Sequence, residues 1–294
     1  MRIALQFLLA MGLAIHAAAS ASCSPVPGAD QIWSKPAVHW MFIGELHGSN
    51  ETPAAFHDLV CDAIAHGKHV TVALERPTSE QAALDNILTG KDLSTAKESL
   101  LQLPGWKEVL DGRASEAMLR LLVSLRELHR LHPDLKVVAF DAPYAGSPAS
   151  GSRDEAMGHA LLSLNPAKPN DLVLILTGNI HAMQASKRGY DLAAMYLPPK
   201  EILSLEVTDR GGESWSDDTQ GGCGPWKGGV GDKDTKKPYG IFLDPSLAPF
   251  GKVDGVLSLG VPLTASAPAA GVPSPAPACR AKFLSEHKAV SKNQ

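Results

Sequence analysis

The sequence predicts an α/β fold, a mostly parallel sheet with helices on both faces, built as a single domain. Two observations carry this. Short apolar runs of strand length alternate with longer segments whose apolar residues recur at helical spacing, and strands separated by helices form parallel sheets with crossover connections. Most of these runs also end abruptly in a carboxylate or an imidazole, and in such sheets ligands bind just beyond the carboxyl ends of the strands.

The elements follow in order. Residues 1–21 read as a signal peptide: Arg2, an apolar run over residues 3–15, then small residues closing on Ala19-Ser20-Ala21. Cys23 lies just beyond the cut, but Ser20-Ala21-Ser22 lacks the large apolar residue of a lipoprotein signal, so a periplasmic or secreted product is expected rather than a lipoprotein. Residues 22–37 are an N-terminal loop rich in Pro and Gly, residues 38–262 the α/β domain, and residues 263–294 an Ala/Pro-rich flexible tail.

Within the domain, residues 40–43 form the first strand, which breaks at Gly44-Glu45-Leu46-His47-Gly48. Thr52 as N-cap and Pro53 at the first helical position open a helix that ends near Gly67. Residues 70–74 are the second strand, ending at Glu75-Arg76-Pro77. Helical segments at 79–88, 93–106 (irregular) and 115–131 follow. The third strand, 137–140, ends at Asp141, and Arg153-Asp154-Glu155 opens another helix. The fourth strand, 172–176, is almost wholly apolar, as a strand covered on both faces must be, and ends at Thr177-Gly178-Asn179-Ile180-His181. A fifth, 202–205, ends at Glu206. The Gly-rich stretch 211–231 reads as a long loop, residues 255–259 as a last strand, and 265–278 as lacking packed structure.

In a parallel sheet all these strand ends lie on one edge, so Glu45, His47, Glu75, Arg76, Asp141, Asn179, His181 and Glu206 face a common cleft. Glu45 and His47, two apart, point the same way along an extended segment. A carboxylate beside an imidazole fixes its tautomer and raises its basicity, which suits a general base. Glu75 and His181 complete an acid/base or metal set, and Arg153 is the cation expected to pair with an anionic group, with Asp141 or with Glu75. Arg76, Asp141 and Asn179 are candidate substrate-binding residues. His57, His66, His129, His132 and His159 read as surface or capping residues.

Charge excludes one class of partner. The formal net charge is −4 with no basic stripe, so nucleic acid is not an expected ligand. No later segment is long and apolar enough to span a bilayer. Four cysteines, Cys23, Cys61, Cys223 and Cys279, follow the leader, and an even count beyond a signal peptide permits two disulfides. The expected pairs are Cys223 with Cys279, which ties the tail to the body, and Cys23 with Cys61.

The ordered combination Gly44-Glu45-Leu46-His47-Gly48 with Asn50-Glu51, then Ala73-Leu74-Glu75, then Gly178-Asn179-Ile180-His181 resembles the erythromycin esterase, ChaN and Tiki superfamily. The resemblance spans residues 40–259. It implies an α/β fold with a cleft lined by Glu45, His47, Glu75, Arg153 and His181, Arg76 being the alternative for the central Arg. It also implies three activities to choose among: hydrolysis with His-activated water, metal-dependent proteolysis, and haem binding. The expected cofactor is accordingly open between a divalent metal, for which His47, Glu75 and His181 are the candidate ligands, and haem, for which Tyr144 is the nearby ligand. The first expectation is an exported hydrolase acting on a small-molecule substrate. The others are a haem- or metal-binding protein without turnover, and a family member that keeps the fold for protein contacts.

Overall fold

The computed structural model describes residues 23–142, 150–186, 189–217, 223–227 and 236–271. The leader expected at residues 1–21 lies outside them.

Seven strands form one sheet: β1 (Trp40–Glu45), β2 (His69–Pro77), β3 (Lys136–Asp141), β4 (Asp171–Gly178), β5 (Ile202–Thr208), β8 (Gly240–Phe242) and β9 (Gly255–Ser258), in the order β3-β2-β4-β1-β5-β9-β8. Every pairing is parallel except the antiparallel β8–β9 pair at one edge. The alternation of the strands divides the core. Met41 and Ile43 of β1 join Val72 and Leu74 of β2 on one face, while Trp40 and Phe42 join Ala73 on the other. The first face is covered by α2 (Glu51–Ala65), α3 (Gln81–Thr89), α4 (Leu93–Leu101), the short α5 (Pro104–Lys107) and α6 (Glu116–Leu131), the second by α7 (Ser150–Leu162). Burial on both faces is why β1 and β4 read as unbroken apolar runs. The chain folds as the sequence predicts, an α/β domain with helices on both sides of a mostly parallel sheet.

Several local expectations change. Residues 22–37 are not all loop: α1 (Asp30–Trp33) makes one turn there, with Ile32 and Trp33 buried. Thr52 does not cap α2. It lies inside the helix, and Ser49 Oγ takes its N–H at 3.3 Å, because the turn after β1 brings Ser49 under the first helical turn. The Gly-rich stretch 211–231 contains a hairpin of β6 (Glu213–Ser216) and β7 (Gly224–Lys227). The first part of the expected tail is packed. Ala265 bridges Ser49, Pro268 bridges Ser115, and Ser266 Oγ accepts the Ala117 N–H at 2.9 Å. Its small residues let it lie close against the starts of α2 and α6. The remainder, 272–294, lies outside the described residues.

Cys23 and Cys61 form a disulfide. Cys223 is disulfide-bonded as well, and its expected partner, Cys279, lies outside the described residues. Among the described residues no helix is long and apolar enough to cross a membrane.

Candidate active site

β4 lies between β2 and β1, so three strand ends meet: Glu45 is in register with Gly178, and Glu75 leaves β2 alongside. They open on a cleft of about 580 Å³. Of the expected site residues, Glu45, His47, Glu75, Arg153, Asn179 and His181 all line it.

Glu75 is the hub. Its Oε2 accepts from Thr177 Oγ1 at 2.7 Å and from the Gly178 N–H at 2.6 Å, and its Oε1 accepts from Arg153 Nη2 at 2.7 Å and Arg113 Nη1 at 3.1 Å. Burial alone would raise its pKa; protonated His47 and the Arg113 guanidinium overcome that and hold it well below the usual range. Asp141 is buried behind the cleft. It takes Arg153 through Nε at 2.8 Å and Nη2 at 2.7 Å, and Arg113 Nη1 at 3.0 Å. Its work is therefore to seat the two guanidinium groups.

The two histidines have opposite surroundings. His47 Nδ1 faces Glu45 Oε1 at 3.0 Å and Nε2 faces Glu75 Oε2 at 3.5 Å. Burial would lower its pKa, but the two carboxylates push it up to about 10. Glu45 is raised in turn, chiefly by burial. At neutral pH His47 is an imidazolium. His181 Nδ1 faces Asp154 Oδ1 at 2.6 Å, and its Nε2 meets Arg153 Nη1 at 2.9 Å. Arg can only donate, so Nε2 carries the lone pair and Nδ1 the proton. Its two partners hold the ring in one orientation, with Nε2 as the acceptor.

Between the rings the floor is Gly178. A methyl group there would lie 3.1 Å from His47 Nε2, 3.5 Å from Glu75 Oε2 and 3.7 Å from His181 Cδ2. The absence of a side chain leaves that space for a reacting group touched by both imidazoles.

Arg76 is not in the cleft. It is 1 % exposed, bonded through Nε and Nη2 to Glu80 at 2.9 Å each, and stacked 4.6 Å from the Trp106 ring centroid. An acid one helical turn on and a buried indole turn it into the core. Glu206 is also withdrawn: it is buried within β5, and its Oε2 accepts the Phe250 N–H at 3.2 Å.

Several residues of the site escape a reading of strand ends. Arg113 and Asp111 line the cleft from the loop before α6, where no strand end marks them, and Arg113 is bonded to Asp111 Oδ2 at 2.6 Å. The signal that could have found them is the turn Asp111-Gly112-Arg113. Gly112 has φ +93°, and a Cβ there would strike the backbone of Gly48, itself at φ +86°; two glycines back to back let the loop reach the site. Asp154 hid beside Arg153. The β6–β7 hairpin contributes Ser214, Ser216, Trp226 and Lys227, fixed in place by the Trp215 N–H on the Gly48 carbonyl at 2.8 Å.

The donor set does not fit a divalent metal at His47, Glu75 and His181. Glu75 already accepts four hydrogen bonds, the His181 lone pair is taken by Arg153, and two guanidinium groups stand where the ion's charge would be. Haem is poorly matched to so charged a wall, and Tyr144 lies outside the described residues.

No protein-family model matches the sequence, and no curated protein matches it. Solved structures do. An erythromycin esterase, a mutant of EreC in its open conformation, has a TM-score of 0.56 at 10 % identity, covering 79 % of this chain and 92 % of that one. A succinoglycan biosynthesis protein has a TM-score of 0.55 at 10 % identity over 82 % and 91 % of the two chains. A Bacillus cereus protein has 0.52 at 12 % identity over 79 % and 90 %. This chain shares the fold of these three structures.

Proposed function

We propose that this chain is an exported hydrolase in which His181 is the general base and His47 the general acid. The observation that carries the reading is the contrast between two imidazoles facing one space: His47 lies between two carboxylates, while His181 Nε2 meets a guanidinium that can only donate to it, and acid and base are found where neighbouring groups have different environments. His181, oriented by Asp154, takes the proton from water as the oxygen attacks an acyl carbon. His47, held as imidazolium by Glu45 and Glu75, gives its proton to the leaving oxygen. The proton on His181 then returns to solvent and His47 is reprotonated. Arg153 keeps Nε and Nη2 on Asp141 and Glu75 while Nη1 turns to the oxygen gaining negative charge. This assigns His47 a different role from the base expected from Glu45-Leu46-His47 alone, because two carboxylates face it rather than one.

Export is supported by the leader and by the Cys23–Cys61 disulfide, a bond at home in an oxidising compartment. N-terminal sequencing of the exported protein is expected to begin at Ser22. The activity is tested on a panel of p-nitrophenyl esters. Each of His47→Gln and His181→Gln is expected to lose about 100- to 10,000-fold in rate, with the double variant little worse than either because the two act as a unit. Ester hydrolysis by the double variant at the rate of the unsubstituted protein would overturn the reading.

A further inference from the structure

A second groove, about 780 Å³, runs on from the cleft. The two share Leu46, Asn179 and Ile180 as a common wall. The sharing follows from the sequence. In Glu45-Leu46-His47 and Asn179-Ile180-His181 an apolar residue precedes each histidine, and the turns are tied by the Asn179 N–H on the Glu45 carbonyl at 2.9 Å. The polar side chains line the charged cleft, and Leu46 and Ile180 also border the groove.

Beyond that wall the lining of the groove is mostly apolar, with Ser186 and Lys252 as its polar members. Met183, Leu192 and Phe250 line it, and Phe250 is 53 % exposed. Its floor is coupled to the chemistry: the residue after Leu192, Ala193, donates its N–H to Asp154 Oδ1 at 3.0 Å, and the Ala194 N–H reaches the His181 carbonyl at 3.1 Å. A thioether at Met183 suits a wall that adapts to its occupant.

We infer that the substrate is amphiphilic: its hydrolysable group lies at His47 and His181, and an apolar arm attached to that group fills the groove over Met183, Leu192 and Phe250. This rests on the hydrolase reading for the polar end and on the continuous wall for the arm. Burying each added methylene is worth about fourfold in affinity.

The test uses the full mature chain and two ester series up to eight carbons, one lengthening the acyl group beside a p-nitrophenyl leaving group, the other lengthening the alcohol of acetate esters. In one series KM is expected to fall by about two- to fourfold per methylene. Phe250→Ser and Met183→Ser are expected to flatten that dependence. Calorimetry with uncharged n-alkyl amides reads the groove without turnover, and affinity should rise with chain length in the unsubstituted protein and not in Phe250→Ser. If no ester is hydrolysed but this amide dependence holds, the hydrolase reading fails and the groove stands. If esters are hydrolysed with KM flat in both series, or if both variants keep the chain-length dependence, the inference is overturned.

Discussion

Two arginine–carboxylate clusters lie side by side at the end of β2, and they start from adjacent residues. Arg76 goes inward to Glu80 under Trp106, and side-chain exposures are 1 % and 5 %. Glu75 goes to the cleft, where Arg153 and Arg113 keep side-chain exposures of 24 % and 14 %. The chemistry is the same and the access differs. In the sealed cluster each charge is satisfied by one fixed counter-ion, so it can serve only the fold. In the open cluster Arg153 carries three anchoring contacts to carboxylates and one to an imidazole, and on the proposed hydrolase reading the last is the one a substrate replaces. Charge in a protein is functional where a neighbour can be replaced.

The largest expected effect breaks the sealed pair. Arg76→Ala leaves Glu80 buried without its cation, and should cost about 3–5 kcal/mol of stability, read as a shift of the urea midpoint; a midpoint within error of the unsubstituted protein would make Arg76 no different from its open neighbours. Next, Arg153→Ala should lower the ester rate about 100- to 1,000-fold with a smaller loss of stability than Arg76→Ala, since half-open groups can be hydrated. If the two variants lose stability equally, access is not what separates the clusters.

A pH titration sharpens the same contrast. The folded pKa of His47 is raised from 6.5 to about 10, so its stabilisation is complete below pH 6.5, declines as pH rises, and is gone once pH passes 10. Denaturant midpoints should fall across that window in the unsubstituted protein and stay flatter in His47→Gln. The ester rate should also lose its alkaline limb near the upper value as the acid is deprotonated. The smallest effect is at the packed tail: Ser266→Ala removes the acceptor of the Ala117 N–H and should cost about 1 kcal/mol, again by urea midpoint, without change in KM.

The sheet and the strand-end histidines were legible because both follow from local pattern. An apolar run that stops at Glu45-Leu46-His47 or at Asn179-Ile180-His181 announces a cleft edge. Arg113 was not legible, because it reaches the site through Gly112 from a loop far from any strand, and its partners come from β2 and β3. Arg76 was misread for the reverse reason: its position at a strand end is local, but Glu80 and Trp106, which take it out of the cleft, are tertiary. The role of His47 depended on Glu75 as well as Glu45, and the distance between separate strands is not written in either one.

Helix α2, which follows the Glu45–His47 turn, is fastened at both ends. Near its far end Cys61 is bonded to Cys23. At its start Glu51 Oε1 accepts from Thr264 Oγ1 at 2.6 Å and Oε2 from the Thr264 N–H at 2.9 Å, while the Asn50 N–H reaches the Thr264 carbonyl at 2.9 Å. Segments from the two ends of the chain thus hold one helix. The Asn50 amide, just before the helix, is bonded to the Thr264 carbonyl, so its hydrogen–deuterium exchange is expected to report detachment of a segment more than 200 residues distant in sequence.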